Sequence, residues 1–144
     1  FPLATPLPSM PQRRTAFVVA VFVVLGAVEA LAMSKFLDLR PTRASDLEAI
    51  VDLETASYPA DEAASADTLR SRFETAGDYF RTMVLTEDEK EEVVGFLCGT
   101  RCHELDEASM RTHDPTGKIL GVHSVVVAAA QRRSGFASLA LKWY

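Results

Sequence analysis

The sequence predicts a mixed α/β fold of the α+β kind, with helices flanking a mostly antiparallel sheet. Three observations point there. Alternating apolar and polar residues recur over residues 36–42 and 79–87, the period of a strand with one buried face, and the apolar runs over 93–102 and 119–127 read as further strands. Two segments with apolar residues at helical spacing, 45–58 and 60–77, separate the first strand from the second. The second and third strands are joined only by "EDEKEE", a connection short enough for an antiparallel hairpin and too short for a parallel crossover.

Each element has its own signal. "FLDLRPT" alternates and is closed by Pro41 and Thr42. In "SDLEAIVDLETASY", Ser45 and Glu48 form an S-x-x-E capping box, and Leu47, Ile50, Val51 and Glu54 recur at helical intervals. Tyr58-Pro59 ends that helix, because a residue before proline disfavours helical dihedrals. "ADEAASADTLRSRFETAG" predicts a second helix that stops at Gly77. "YFRTMVLTE" and "VVGFLCGTRC" are hairpin partners around a solvated charged turn. Gly95 and Gly99 predict a bulge or a close backbone approach in the second of them. "ELDEASMRT" predicts a short helix and "HDPTG" a turn. "ILGVHSVVV", with four valines and an isoleucine, is the strongest strand. "AAAQRRSG" is a loop. In "FASLALKWY", Phe136, Leu139, Ala140 and Trp143 share one helical face. The predicted order is β-α-α-β-β-(α)-β-α, with the fold incomplete at the C-terminus because nothing follows the last helix.

The composition suits one globular domain of 144 residues, 48% hydrophobic and 24% charged. Arg13, Arg14 and Lys35 against Glu29 give the first 36 residues a charge of +2. With a total of −5, the rest carries −7. An acidic body argues against nucleic acid as a partner and suits a small cation. Cys98 and Cys102, spaced C-x3-C with no further Cys or His in metal-ligand spacing, read as two buried reduced thiols of a cytoplasmic protein without a metal site.

Residues 1–32 stand apart from the predicted domain of residues 33–144. The first residue is Phe, and residues 16–28 are unbroken apolar, short against the roughly 20 residues of a membrane span. "MPQRR", an apolar middle and "ALA" have the layout of a secretory signal. Met33 opens "MSKFLDLRPTRASD", itself a plausible start. Three readings stay open: an extension, a cleaved targeting segment, or a retained membrane anchor.

The stretch "HSVVVAAAQRRSGFA" carries the functional signal. A strand feeds a glycine-containing loop that opens a helix, and the first amides of a helix have no partner within it. They point outward together with partial positive charge, worth about 0.3–1 kcal/mol to an anion from the dipole alone. Arg132 or Arg133 adds charge, while Gly135 and Ala137 are small enough to let a bulky anion reach the backbone. A solvated basic loop with a packing glycine is the competing reading.

"R-R-S-G-F-A" fits R/Q-x-x-G-x-G/A, with Arg132, Gly135 and Ala137 in the defined places. In this the chain resembles the GNAT acetyltransferase superfamily. "YPADEAAS", "MRTHDPTG", "GVHSVVV" and "RRSGFASLALKWY" together resemble its arylalkylamine N-acetyltransferase group, which includes serotonin N-acetyltransferase, and within it the non-vertebrate branch. The resemblance covers residues 36–144. It implies a GNAT-like sheet and acetyl-CoA as acetyl donor. Val125, Val126 and Val127 would pair with the pantetheine arm. Arg132, Arg133, Ser134, Gly135, Phe136, Ala137 and Ser138 would surround the pyrophosphate. The acceptor would be a small-molecule amine and the protein a monomer. It also implies a further strand and a Tyr serving the leaving thiolate after the last helix, so the chain reads as C-terminally truncated and, on its own, inactive.

The chemistry needs a way to lose a proton. An alkylamine with a pKa of about 10.4 is neutral roughly once in 2,500 molecules at pH 7, a handicap of about 4–5 kcal/mol. His123, just before the loop, is the candidate base, directly or through water. The vertebrate members carry H-x-H here, whereas this sequence has Gly121 and His123, so a two-histidine relay is in doubt. Glu62 is the second catalytic candidate, as base or as attractor of the ammonium. A core histidine and a solvated acid at a helix start are the respective alternatives. His113 reads as a turn residue. A polyamine acceptor and a non-catalytic acetyl-CoA-binding domain remain as alternative functions.

Overall fold

In the computed structural model, which describes residues 35–144, four strands form one antiparallel sheet in the order β1-β2-β3-β4. They are β1 (Phe36–Pro41), β2 (Phe80–Glu87), β3 (Lys90–Cys102) and β4 (Ile119–Val127). Helices α1 (Leu47–Ser57) and α2 (Ala66–Ala76) lie between β1 and β2 in the chain, and α3 (Phe136–Trp143) follows β4. The segment 1–32, with its apolar run 16–28, lies outside the described residues. Among the described residues no helix is long and apolar enough to cross a membrane.

The predicted order holds, with three local corrections. The capping box at Ser45 and Glu48 does not form. A 3-10 turn over Ala44–Asp46 leads into α1, and Asp46 Oδ2 accepts from the Arg43 amide at 2.7 Å. Asp46 is also held by Arg40 at 2.7 and 3.0 Å, a buried two-point contact that fastens β1 to the head of α1 and outcompetes an exposed serine cap. The second helix begins six residues later than its spacing suggested. The Glu62 and Ala63 amides both donate to the Pro59 carbonyl, closing a separate turn, and Ser65 caps α2 by accepting from the Thr68 amide at 3.1 Å. The short helix expected over residues 104–112 is a turn. Asp106 and Ser109 exchange side-chain and backbone hydrogen bonds, the local competition by which Asp and Ser divert a chain from helix.

The β2–β3 hairpin turns on Asp88 and Glu89, both at positive φ, the twist that suits a two-residue connection. β3 runs against β4 with Gly95 opposite Val127. A Cβ at Gly95 would stand 2.5 Å from the Val126 carbonyl oxygen, so the expected close approach is real. The expected irregularity in this strand is also present, and β4 carries a second one that the sequence did not predict. Val94 is extra opposite Met83 and Val84, and His123 is extra opposite Cys98 and Gly99.

Both faces of the sheet are covered. Ile50, Leu69, Phe80, Phe96, Cys98 and Val126 pack beneath α1 and α2. Met83, Leu85, Val94, Leu97 and Ala140 pack on the other side, with Val125, Val127 and Phe136 at their margin. Alternation along β4 thus sends Val126 toward α1 and α2, and Val125 and Val127 toward α3. Cys98 and Cys102 are buried and unbridged.

Candidate functional site

Among the described residues β4 is an edge strand, so one row of its backbone groups faces no other described strand. The Ala128 amide donates to the Val94 carbonyl at 2.8 Å, which fixes the phase of the ladder. With period two, Val126 turns its amide and carbonyl inward to β3, and Val125 and Val127 turn theirs to the open edge. The three valines therefore do not act alike: two offer backbone groups outward and the middle one is used by the sheet.

The chain then makes a 3-10 turn over Ala129–Gln131 and an exposed loop before α3. Arg133 and Gly135 both take left-handed dihedrals, φ 64° and 82°. Such alternation bends successive N–H groups toward one side, a nest for an anion. Among the described residues no hydrogen bond occupies the amides of residues 133–138. Leu139 is the first to find an acceptor, the Gly135 carbonyl at 3.0 Å. Ser134 and Ser138 are exposed, and Phe136 and Ala137 are partly buried at the start of α3. Arg132 departs from its expected part. Its Nε donates to the Val127 carbonyl at 3.2 Å and its Nη2 to Ser57 Oγ at 3.3 Å, so most of its guanidinium braces the loop against β4 and the end of α1.

The bulge at His123 shapes the second half of the site. In a regular strand His123 and Ser124 would face opposite ways. The extra residue lets both line one cavity of about 310 Å³, together with Glu54, Tyr58, Glu62 and Arg72. His123 Nε2 lies 2.7 Å from Thr100 Oγ1, whereas Nδ1 is buried with no hydrogen-bond partner. Burial first, and the nearby Arg72 guanidinium second, push its pKa down to about 4. The ring is accordingly neutral at pH 7. Glu54 Oε1 accepts from the Ala64 amide at 3.0 Å and from Ser124 Oγ at 3.2 Å, and its Oε2 is buried without a partner.

The structure thus brings His123 and Glu62 to one cavity, with Glu62 exposed at its rim. His113 lies elsewhere, accepting from the Arg101 amide through Nδ1 at 3.1 Å, a turn-holding contact. Sequence reasoning missed Glu54, Thr100 and Ser124. Glu54 did leave a signal: a carboxylate at a core-facing position of an amphipathic helix needs a reason to be there. Thr100 and Ser124 left none. Among the described residues no group of three His, Cys, Asp or Glu is placed to hold a metal ion. The arrangement can bind an anion at the loop and, next to it along β4, offer a neutral imidazole and a carboxylate oxygen to a polar or cationic group.

The sequence model of the Acetyltransferase (GNAT) family matches residues 47–144. No curated protein matches the chain significantly. Among solved structures, the GphF GNAT-like decarboxylase in complex with isobutyryl-CoA aligns with a TM-score of 0.63 at 28% identity, covering 74% of this chain and 56% of that one. The loading GNATL domain of CurA from Lyngbya majuscula aligns with a TM-score of 0.63 at 16% identity, covering 75% and 56%. The latter is a likeness of fold. The chain spans little more than half the length of each of these two structures.

Proposed function

The chain belongs to the GNAT acetyltransferase family, and from that premise we propose that it transfers an acetyl group from acetyl-CoA to a primary amine, an arylalkylamine such as serotonin or tryptamine. The observation that carries the reading is the run of unoccupied amides over residues 133–138, set where the family motif R-x-x-G-x-A places the pyrophosphate. The outward backbone groups of Val125 and the outward amide of Val127, whose carbonyl already accepts from Arg132 Nε, suit the pantetheine arm. The complex of the 28%-identical GNAT-like decarboxylase with isobutyryl-CoA supports a CoA thioester as the ligand of this fold. The two free thiols, Cys98 and Cys102, support a cytoplasmic setting.

In this reading the amine nitrogen attacks the thioester carbon, a C–N bond forms and the C–S bond breaks. The thiolate leaves, and nitrogen gives up a proton. His123 is too weak a base to strip a free ammonium, given a pKa of about 4 against about 10.4 for the amine. Its part is to accept the N–H hydrogen bond through Nδ1 as positive charge grows on nitrogen during attack, when that proton becomes far more acidic. A polyamine is the second reading, favoured by one observation: Glu54 and Glu62 put two carboxylates on the same cavity.

The test is acetyl transfer from acetyl-CoA to tryptamine, serotonin and spermidine, with thermal stabilisation by CoA measured alongside. Turnover of the arylalkylamines is the expected result for a form extended beyond Tyr144, and this chain alone is expected to be inactive. Turnover of spermidine alone selects the polyamine reading. Stabilisation by CoA with no acetylation of any amine by the extended form reduces the protein to a CoA-binding domain, and neither response overturns the assignment.

A further inference from the structure

Glu54 is the most anomalous group among the described residues. It is 2% exposed, on a helix that otherwise turns Ile50 to the core at that height. No lysine, arginine or histidine lies within ion-pair distance of it among the described residues. Arg72 lines the same cavity but lies beyond ion-pair distance and donates to the Met110 carbonyl, so the buried carboxylate has no direct ion pair, which is costly, and hydrogen bonds satisfy only Oε1, from Ala64 N and Ser124 Oγ. Oε2 is left over, in the wall of the cavity that also holds the unpartnered Nδ1 of His123. A carboxylate oxygen only accepts, and Nδ1 accepts in the tautomer whose proton sits on Nε2, so neither orphaned atom can satisfy the other. Here both instead face a space of about 310 Å³. A group that donates several hydrogen bonds and carries positive charge satisfies both at once, and an alkylammonium is such a group.

We propose that Glu54, through Oε2, holds the ammonium of the acceptor amine and so selects cationic over neutral acceptors. The inference rests on the amine-acetylating reading of this cavity and adds the residue that recognises the amine. It moves the recognition role from Glu62, which is exposed and screened by water, to a carboxylate held where screening is weak. Oε1 fixes the direction of the carboxylate. The bonds to the segment after Pro59 and to β4 keep Oε2 turned to the cavity. His123 Nδ1 then receives a second N–H of the same group, which leaves the nitrogen oriented by two fixed acceptors; the bound ammonium releases one proton to solvent before its nitrogen attacks, and the neutral amine stays hydrogen-bonded to the same two atoms.

The experiment is calorimetric titration of wild type and Glu54→Gln, each saturated with CoA, with tryptamine and with its uncharged isostere indole-3-ethanol. Gln preserves the Oε1 acceptor and the shape while removing the charge. Wild type is expected to bind the amine at least about tenfold more tightly than the alcohol, and the variant to lose roughly 10–100-fold for the amine and less than about threefold for the alcohol. Equal binding of the two ligands by wild type overturns the proposal, as does a variant that weakens both equally or neither. Failure of the wild type to bind the amine at all does so too. Should Glu54→Gln not fold, the wild-type pair decides. Acetyl transfer measured with the extended form, as wild type and as Glu54→Gln, separates the two readings. Charge-selective binding lost in Glu54→Gln without turnover keeps Glu54 as the ammonium site and removes the transferase. Turnover with an unmoved KM for the amine does the reverse.

Discussion

The loop after β4 and the cavity around its bulge sit on one strand, yet they are made of opposite materials. The loop is backbone: amides of residues 133–138, aimed by left-handed dihedrals at Arg133 and Gly135 and free of protein acceptors among the described residues. The cavity is side chains: Glu54, Glu62, Arg72, Ser124 and His123, drawn from α1, α2, the segment between them and β4, with Thr100 of β3 behind the histidine. The difference sets what each half can tolerate. A backbone site survives most side-chain changes and fails when a dihedral is forbidden. A side-chain site survives small backbone adjustments and fails when one polar atom is lost.

The sharpest way to break that contrast is Gly135→Val. No protein atom stands within 4 Å of a Cβ there, so sterics with neighbours are not at issue. The cost comes from φ of 82°, which a β-branched residue resists by about 1–2 kcal/mol or more. The loop is expected to relax into another conformation and disperse its amides. CoA affinity should fall roughly 100-fold, as several converging donors are lost together, while the fold melts only a few degrees lower. Unchanged CoA-dependent thermal stabilisation in this variant would show that the amides of this loop do not hold the cofactor.

The same contrast explains what could be read from the sequence. The strands, the order of elements, the glycine at the loop and the close approach at Gly95 are local patterns or consequences of one residue type, and all were legible. The loop half of the site was therefore visible as a contiguous motif. The cavity half was not, because its parts lie 70 residues apart, as in the Ser124–Glu54 bond. Its geometry also depends on a bulge that no spacing in β4 announces. The errors share this cause. Ser45 looked like a cap, but Arg40 and Thr82 of neighbouring strands recruited Asp46 instead. Residues 104–112 had helical composition, but Asp106 and Ser109 closed on each other.

The cavity half makes its own prediction about pH. Folding lowers the His123 pKa from about 6.5 to about 4, so the unfolded chain takes up this proton first as pH falls. Stability from this group is fully present above pH 6.5, declines between 6.5 and 4, and changes no further below that. The slope amounts to on the order of 2 kcal/mol across the window, after allowing for the partial exposure of the ring. His123→Asn should lose that part of the pH dependence. The measurement is the difference in denaturation midpoint between wild type and variant at pH 7 and pH 4. A difference that does not narrow by pH 4 would mean that the histidine is not desolvated as the structure has it. The same pKa adds a further break near pH 4 to the acid side of kcat/KM, below the fall that the ionisation of the amine itself imposes, where an unperturbed histidine would put that break near 6.5.

Arg132→Ala gives the smallest effect, and the smallness is the point. If the guanidinium gripped a phosphate in two places, its loss would weaken CoA by more than about thirtyfold, in line with charge-assisted pairs. Its Nε and Nη2 are instead committed to Val127 O and Ser57 Oγ, both in exposed settings where each bond is worth little. The variant should therefore bind CoA roughly three- to fivefold less tightly and lose about 0.5 kcal/mol of stability, through a looser loop and one fewer positive charge near the anion. Direct titration of CoA into both proteins at two salt concentrations separates the causes. A loss that shrinks with salt reports the missing charge, and one that persists reports the missing brace. A loss above thirtyfold at either salt makes Arg132 a direct ligand, and with it the loop becomes a side-chain site like the cavity beside it.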